Sequence, residues 1–431
     1  RRGLVVRHVP SGVGLNGAGQ ALRRPAVAIW GTFDVDNYGD HLFPLVARLE
    51  LSARIPDVVV DAYSPFGSEH PTRLDGAVPT RSLGVRTDAR MDEFADAYDA
   101  VLVGGGELLH LDDVLLRHFY AVEPAALDAV RPSGWFVEGL GAQREATCPV
   151  LWHGLGVPYD FDAGRAERVR AALAHRSWSS VRDQSSAERL RRAGVALAPH
   201  VVPDSALLVD RLVEAPERAQ RVAAMQARGA LPVGPAMVLQ GCDLLVPWAP
   251  AIAAALAPRL AEGDVSPVLL ETGRCRDDGA FADALSDALG GRVYRVPPSA
   301  SMEDIVSVLA SARSVVASSL HAAITAVAFR RPFVVLNLGA ESKLDGFGDQ
   351  CGFRDRVLHD VGDLAAAVAT VGDRPPADEQ VRRLQTEVDR HFDDVAAIVT
   401  ESRARRHPAV TRKLGGLRGR LRSLAVGAHS K

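Results

Sequence analysis

Lysine is scarce in this sequence, since only Lys343, Lys413 and Lys431 of its 50 basic residues are lysines. An arginine bias of this kind is typical of a GC-rich genome, in which arginine replaces lysine wherever either side chain serves. The two side chains differ in shape and hydration. Because Lys343 is the one lysine before the C-terminal tail, it predicts a site that requires a compact ammonium. Chance retention is the alternative.

Cysteine is also scarce, and no apolar run is long. The four cysteines are widely spaced without a CxxC pair, which argues against a disulfide framework and a cysteine zinc site. No uninterrupted apolar run reaches the roughly 18 residues of a membrane-spanning helix, and residues 1–25 lack the apolar core of a signal peptide. The sequence therefore predicts a cytoplasmic protein without a metal site.

Two nucleotide-binding motifs are missing as well. The chain has neither the GxGxxG pattern of dinucleotide-binding proteins nor a GxxxxGK[ST] phosphate loop. We therefore expect neither a nicotinamide cofactor nor bound ATP, and no other cofactor.

Length and charge indicate a globular protein with a basic end. A chain of 431 residues, 47% hydrophobic and 24% charged, is long enough for two domains. The net charge is −3, yet residues 401–431 hold nine basic residues and one acid. A basic tail on an acidic body predicts an anionic partner such as lipid headgroups, rather than nucleic acid. A solvated terminus is the alternative.

Short apolar runs alternate with amphipathic stretches, as in α/β layers around parallel sheets. In the first half, this pattern predicts strands at Ala26–Trp30, Val58–Ala62, Ala100–Val103, Gly134–Val137 and Ser179–Val181, and helices near 38–51, 165–175 and 184–193. In the second half, it predicts strands at Met237–Gln240, Pro267–Glu271, Arg292–Tyr294, Ser314–Ala317 and Phe333–Asn337, and helices near 250–260, 278–289, 302–311, 321–329 and 378–402.

These two halves resemble the facing Rossmann-like domains of the GT-B type, with a C-terminal closing helix. We expect an extension (1–25), a first Rossmann-like domain (26–215), a linker (216–235), a second Rossmann-like domain (236–375), the closing helix (376–402) and the basic tail (403–431). Ligands of such folds bind beyond the carboxyl ends of the strands, in the cleft.

Polar residues and glycines follow several predicted strands in the first half. Asn37, Gly39 and Asp40 follow the first strand, where they either cap a helix or bind a ligand. Gly104–Gly106 precede Glu107, an acid able to act as a base or simply exposed on a turn. Arg182 follows another strand, and either grips an anion or pairs with Asp183 or Asp204.

In the second half, Ser318 and Ser319 precede His321 at the start of a predicted helix. Lys343 follows the next strand, in what its glycine and acidic neighbours indicate to be a loop. A histidine and a lysine at one rim predict an anion-binding and proton-transfer site.

In their order along the chain, these elements resemble the polysaccharide pyruvyl transferase family. The matching elements are N-x-G-D (Asn37–Asp40), GGG (Gly104–Gly106), H-G-x-G-V-P (His153–Pro158), V-R-D-x-x-S (Val181–Ser186), V-P-D (Val202–Asp204), S-S-L-H-A (Ser318–Ala322) and Lys343. Many members carry R-L-H where this chain has Ser319-Leu320-His321, and the chain resembles the branch with S-S-L-H. Another cation must then hold the donor: Arg182, Arg274, Arg276 or Lys343.

The resemblance implies transfer of the enolpyruvyl unit of phosphoenolpyruvate to two hydroxyls of a sugar in a cell-surface polysaccharide or its precursor. The products are a cyclic ketal and phosphate. The first domain is then the acceptor side and the second the donor side. His321 is the expected general acid, with Glu107 or Asp40 as base. The substrate-binding residues are then Asn37, Gly105, Gly106, His153, Arg182, Arg274, Arg276, Ser318, Ser319 and Lys343.

Other functions remain open from the sequence. A GT-B glycosyltransferase with a nucleotide-sugar donor fits the architecture, with Glu271 available to hold a ribose. A non-catalytic, sugar-binding member of the same fold is the third possibility. We expect a glycan or lipid-linked acceptor as partner, and the basic tail predicts peripheral contact with the inner face of an anionic membrane.

Overall fold

The computed structural model describes residues 23–67, 79–117, 120, 122–176, 178–291 and 293–406. Its first half, here called the first lobe, contains a five-stranded parallel sheet. The strands are β1 (Ala26–Trp30), β2 (Val59–Ser64), β3 (Thr80–Ser82), β4 (Ala100–Gly104) and β5 (Val150–His153). They lie in the order β3-β2-β1-β4-β5. A short parallel pair, β6 (Ser180–Val181) and β7 (His200–Val201), completes this lobe.

The second half, here called the second lobe, repeats the arrangement with one additional strand. Its strands are β8 (Ala236–Gln240), β9 (Ser266–Leu269), β10 (Tyr294–Arg295), β11 (Ser314–Ala317), β12 (Phe333–Leu336) and β13 (Val357–Leu358). They are parallel in the order β10-β9-β8-β11-β12-β13. In each sheet the order reverses beside the first strand, which leaves a crevice at the carboxyl ends of β1 and β4, and of β8 and β11.

Helices connect and cover these strands. Those of the first lobe are α1 (Tyr38–Arg54), α2 (Asp88–Ala97), α3 (Asp113–Leu116), α4 (Pro124–Val130), α5 (Ala142–Glu145), α6 (Ala163–Leu173) and α7 (Gln184–Arg192). The remaining ones are α8 (Ala215–Ala227), α9 (Ala249–Ala261), α10 (Asp278–Leu289), α11 (Met302–Ser311), α12 (Leu320–Ala328), α13 (Ser342–Cys351), α14 (Leu364–Thr370) and α15 (Asp378–Arg406). The predicted α/β fold with two Rossmann-like halves is confirmed. The linker residues lie largely in α8, and the domain boundaries stay a prediction.

The closing helix α15 joins the two lobes. Val388, Phe392 and Val395 on this helix are fully buried in an apolar core that also contains residues of both sheets. At its far end Arg403 pairs with Asp99 of the first lobe at 3.2 Å. The predicted closing helix is therefore present, and it fixes the cleft between the lobes. The basic tail beyond residue 406 lies outside the described residues.

One predicted strand is wrong. Gly134–Val137 belong to a π-helical turn, Gly134–Glu138, in which Gly139 N–H donates to the carbonyl of Gly134. The residue before this turn, Ser133, donates its amide and its hydroxyl to the carboxylate of Asp113. A short run of buried apolar residues fits either a strand or a helical turn, so periodicity could not separate them. The neighbouring sheet position belongs to β5, which the sequence pattern did not reveal.

The segment around Lys343 is also not the predicted loop, because α13 begins at Ser342. The Asn337 side chain accepts from Glu341 N–H and donates to Glu341 C=O, which fixes the turn before the helix. A Cβ at Gly346 would lie 3.0 Å from the Asp183 side chain. This glycine therefore permits close helix packing, whereas the sequence pattern predicts a loop here.

One segment, Asp243–Ala261, is long and apolar enough to cross a membrane by length and composition alone, with a mean hydropathy of 1.5. Charged and proline residues interrupt this segment. It is therefore not an uninterrupted apolar run, which is why the sequence analysis did not single it out. Its residues Ile252 and Leu256 are buried in the core of the second lobe.

Candidate active site

The carboxyl ends of both sheets open into one cavity of about 360 Å³. The first lobe contributes the segments after β1, β4, β5 and β6, and the second lobe contributes those after β8, β9, β11 and β12. Of the residues predicted from the sequence, the cavity wall contains Asn37, Asp40, Gly106, Glu107, Arg182, Arg276, Ser318, Ser319, His321 and Lys343. Residues distant in sequence are thus brought together where ligands of this topology bind.

The start of α1 forms the floor of the cavity on the first-lobe side. The Asn37 side chain accepts from Gly39 N–H at 2.9 Å and caps the helix. A Cβ at Gly39 would lie 1.9 Å from Nδ1 of His321, so any other residue would displace the imidazole. The glycine of the N-x-G-D element is therefore a packing surface for a side chain of the other lobe.

Asp40, in the first turn of α1, faces the same space. A Cβ at Gly106, which has a φ of +118°, would lie 3.2 Å from Oδ1 of Asp40. Burial raises the pKa of the Asp40 carboxyl to about 7, against the opposing charges of His321 and Lys343. A carboxyl that exchanges its proton near neutral pH is suited to acid–base chemistry.

His321 lies in the first turn of α12, and its ring is held between the lobes. Its Nε2 is 3.5 Å from Oδ2 of Asp204, and the ring packs on Gly39. Asp204 accepts from Ala206 N–H through its other oxygen. Burial opposes ionisation of Asp204, but the hydrogen bond and charge of His321 outweigh it and lower the pKa of this carboxyl to about 2.

Glu107 lies between two cations. Nη2 of Arg182 is 3.0 Å from Oε1 of Glu107, and Nζ of Lys343 is 3.9 Å from Oε2. Burial opposes ionisation, but the charges of Lys343 and Arg182 hold the pKa of this carboxyl below its usual value. Arg182 is itself buried and also pairs with Asp183 at 3.5 Å. One of the two ion pairs considered for Arg182 from the sequence is therefore present, alongside its place in the cavity wall.

A second carboxylate, Glu341, joins the cations of the second lobe. Its Oε1 accepts from Nη1 of Arg276 at 2.7 Å and from Nζ of Lys343 at 3.0 Å. Burial opposes ionisation, but Lys343 and Arg276 lower the pKa of the Glu341 carboxyl. The cavity wall thus holds three cations, Arg182, Arg276 and Lys343, which are paired with two glutamates, Glu107 and Glu341.

Three predicted substrate-binding residues lie off the wall of this cavity. Arg274 is exposed and pairs with Asp36 at 3.5 Å. Gly105 and His153 line a separate space of about 10 Å³ behind His321. Nδ1 of His153 lies 2.7 Å from Nε2 of His391 on α15, and burial lowers the pKa of His153 to about 4. His153 therefore joins the closing helix to the first sheet.

The residues that hold the site's hydrogen-bond network include several that were not predicted as site residues: Asp204, Gln240, Asp278 and Glu341. The sequence indicated Asp204 only within the V-P-D element and as a possible ion-pair partner of Arg182, and Glu341 only as a charged neighbour of Lys343. Gln240 ends β8 and Asp278 begins α10. The contacts of Asp204 with His321, of Gln240 with Asp278 and of Glu341 with Arg276 join residues far apart along the chain, so no local pattern marks them.

Comparison with solved structures shows the fold. The UDP-GlcNAc 2-epimerase from Methanocaldococcus jannaschii superposes with a TM-score of 0.53 at 11% identity, covering 87% of this chain and 100% of that chain. The enzyme of the same name from Neisseria meningitidis, bound to UDP-GlcNAc, gives a TM-score of 0.50 at 12% identity, covering 88% and 99%. These neighbours have the GT-B fold, so the predicted GT-B-like architecture is confirmed.

Comparison of the sequence identifies the family. A search of curated proteins gave no significant match. The family model described as polysaccharide pyruvyl transferase, however, matches residues 37–339, from the N-x-G-D element to the turn before Lys343. The match spans well over half of the chain and includes elements from both lobes of the cavity. This chain is a transferase that belongs to the polysaccharide pyruvyl transferase family.

Proposed function

We propose that this enzyme transfers the enolpyruvyl unit of phosphoenolpyruvate to two hydroxyls of one sugar, giving a cyclic ketal and phosphate. The observation that carries the proposal is the grouping of Arg182, Arg276 and Lys343 around the cavity that also contains His321 and Asp40. Phosphoenolpyruvate is a small polyanion, and its vinyl carbon must be protonated. A cluster of cations beside two proton-exchanging groups meets both requirements.

Arg276 and Lys343 are the best candidates for the donor's anionic groups. They lie on the second lobe, and both contact Glu341. A guanidinium binds a carboxylate or phosphate through paired donors, whereas the ammonium is a compact point charge. In this proposal the donor replaces Glu341 as the partner of Arg276 and Lys343. Arg276 is then the cation that holds the donor, a role for which the sequence left several candidates. Arg182 adds a further positive charge from the first lobe, where it is paired with Glu107.

His321 is the proposed general acid. Protonation of the vinyl CH₂ by the imidazolium gives a methyl group and an oxocarbenium-like carbon. The Asp204 carboxylate, 3.5 Å from Nε2, stabilises the imidazolium and limits rotation of the ring. The packing of the ring on Gly39 limits its movement further. Asp204 is therefore a positioning residue for the acid.

Asp40 is the better candidate for the base. Both oxygens of Glu107 face cations, whereas the pKa of Asp40, raised to about 7, matches the demands of proton transfer near neutral pH. Asp40 accepts the proton of the first attacking hydroxyl. The second hydroxyl closes the ring as the C–O bond to phosphate breaks, and its proton leaves with the phosphate. One proton gained by carbon and one by phosphate balance the two lost by the hydroxyls.

A nucleotide-sugar glycosyltransferase is the second candidate. It is favoured by the solved neighbour of the same fold that binds UDP-GlcNAc. In this chain Glu271, the residue considered for a ribose, pairs with Arg295 at 2.8 Å and lies off the cavity wall. This placement supports phosphoenolpyruvate over a nucleotide sugar.

The proposal is tested in the host organism. Deleting the gene should remove a pyruvate-sized mass increment from a surface glycan, and a plasmid copy should restore it. A His321→Ala copy expressed at the same level should not restore the increment. A glycan of unchanged mass in the deletion strain would contradict the proposal.

We also propose that the enzyme works at the inner face of an anionic membrane, near a lipid-linked acceptor. The basic residues and interspersed leucines of residues 407–431 support this location. Removing residues 407–431 should abolish sedimentation with vesicles containing anionic lipid. Equal sedimentation with and without the tail would contradict it.

A further inference from the structure

We propose that Gln240 and Asp278 form a positioning pair that holds the acid His321 and the cation Arg276 at a fixed separation. The inference rests on the proposed function for the roles of those two residues. Neither Gln240 nor Asp278 is proposed to react or to bind the donor. Their function is to fix the two turns from which the reacting groups extend.

Asp278 organises the turn that carries Arg276. Its Oδ2 accepts from the amides of Thr272 and Gly273 at 2.7 and 3.1 Å, and from Oγ1 of Thr272 at 3.0 Å. The turn continues directly into the 3₁₀ segment Arg274–Arg276. Because a single buried oxygen accepts all three bonds, a shift of Asp278 would move the backbone that positions Arg276.

Gln240 organises the turn that carries His321. Its Nε2 donates to the same Oδ2 of Asp278 at 2.9 Å, and this bond orients the side-chain amide. Its Oε1 then accepts from the amides of Ser318 and Ser319 at 3.2 and 2.8 Å. These residues immediately precede α12, with His321 in its first turn. Without Asp278 the Gln240 amide would lose its fixed orientation.

The turn at Thr272 and Gly273 also contacts the first lobe. The carbonyl of Thr272 accepts from Tyr38 N–H at 2.7 Å, and Asn37 and Gly273 form a β-bridge. Tyr38 begins α1, whose first turn also carries Asp40. The side chains of Gln240 and Asp278 therefore bond to the backbone of the turns that carry the cation and the acid, and a further backbone bond connects them to the turn of the base.

Stability alone does not explain this arrangement. Gln240 and Asp278 are both about 3% exposed, and burying a carboxylate costs free energy that hydrogen bonds only partly offset. Burial indeed raises the pKa of Asp278, against the bonds from Gln240 and Thr272. What such a network supplies is a unique geometry, since each donor and acceptor fits in one orientation.

The test uses Gln240→Leu and Asp278→Asn, with a matched control pair from the same chain. Gln385 on α15 donates to Asp210 at 3.1 Å and to Leu207 C=O at 3.0 Å, away from the cavity. Gln385→Leu and Asp210→Asn thus remove a comparable amide–carboxylate contact without touching the site. Melting temperatures of all four variants separate loss of folding from local rearrangement.

The first readout needs no substrate. In ligand-free protein labelled with ¹³C-histidine, the His321 ring resonance is assigned by its loss in His321→Gln. It should shift or broaden in Gln240→Leu and Asp278→Asn, and stay in place in the two controls. An unchanged His321 resonance in Gln240→Leu, in a folded variant, would overturn the proposal whatever the donor is.

The second readout is the dissociation constant for phosphoenolpyruvate. Asp278→Asn should weaken binding at least about tenfold because Arg276 moves, whereas Gln240→Leu should change it less than about threefold. A tenfold loss in Gln240→Leu would make Gln240 a donor ligand and overturn its positioning role. If the wild-type protein does not bind phosphoenolpyruvate, the proposed function fails, and the histidine resonance still decides whether the pair positions His321.

Discussion

His321 of the second lobe and Asp204 of the first lobe face each other across the cleft, with 3.5 Å between Nε2 and Oδ2. The proposed acid therefore receives its carboxylate partner from the opposite half of the molecule. The two are aligned only while the lobes keep this arrangement, which α15 helps to fix. In the proposed mechanism, proton transfer by His321 therefore depends on a carboxylate of the opposite lobe.

Replacing Asp204 tests this coupling. In Asp204→Asn the proposed acid loses the carboxylate that stabilises its protonated form. The base-side limb of the kcat/KM profile should then move to lower pH, and kcat should fall by about 10–100-fold at neutral pH. Asp210→Asn, which replaces an aspartate away from the cavity, serves as the control. A kcat/KM profile that keeps its base-side limb in Asp204→Asn would show that Asp204 does not assist the acid.

Asp40 should produce the acid-side limb of the kcat/KM profile. Burial raises the pKa of its carboxyl to about 7, and a base must be ionised, so kcat/KM should rise as the pH increases through about 7. In Asp40→Asn the rate should fall by about 10²–10⁴-fold and this limb should disappear. Glu107→Gln should also lower the rate, because Arg182 and Lys343 lose their carboxylate partner, but the acid-side limb should remain. A limb that vanishes in Glu107→Gln instead would exchange the roles of the two carboxyls.

Lys343 should not tolerate arginine. Its ammonium lies 3.0 Å from Glu341 and 3.9 Å from Glu107, at the start of a packed helix where a broader guanidinium would not fit equally well. We expect Lys343→Arg to lower kcat/KM at least about tenfold, or about 1.4 kcal/mol of transition-state stabilisation. Lys413→Arg in the tail is the matched control. Equal kinetics for the two variants would leave Lys343 as an ion-pair partner of Glu341 alone.

The sequence predicted the strands better than the turns between them. Ala26–Trp30 and Ser314–Ala317 are strands with the predicted bounds, because buried parallel strands are short apolar runs between glycine and polar residues. The strand predicted at Gly134–Val137 was wrong for the same reason, since this equally apolar run lies in a helical turn. Apolar character reports burial, and the contact of Ser133 with Asp113, 20 residues away, is not visible in the local sequence.

The site was predicted where one chain segment carries several polar residues together. Asn37 and Asp40 follow β1, and Ser318 and His321 follow β11, so topology places each pair at the carboxyl end of a central strand of its own sheet. Arg274 and Arg276 could not be distinguished, because only the 3₁₀ turn directs one outward and the other into the cavity. The contacts of Asp204 with His321 and of Gln240 with Asp278 join residues far apart along the chain, which no local pattern reveals.

Phosphoenolpyruvate binding to wild type, Arg276→Ala and Arg274→Ala tests the central claim most directly. The two arginines are separated by one residue, yet only Arg276 lines the cavity. Phosphoenolpyruvate at about 100 times its dissociation constant should stabilise the wild type and Arg274→Ala by about 2.7 kcal/mol, seen as a higher melting temperature, and Arg276→Ala far less. UDP and UDP-sugars should have no effect. Stabilisation by UDP-sugars without any by phosphoenolpyruvate would contradict the account and favour a nucleotide-sugar glycosyltransferase.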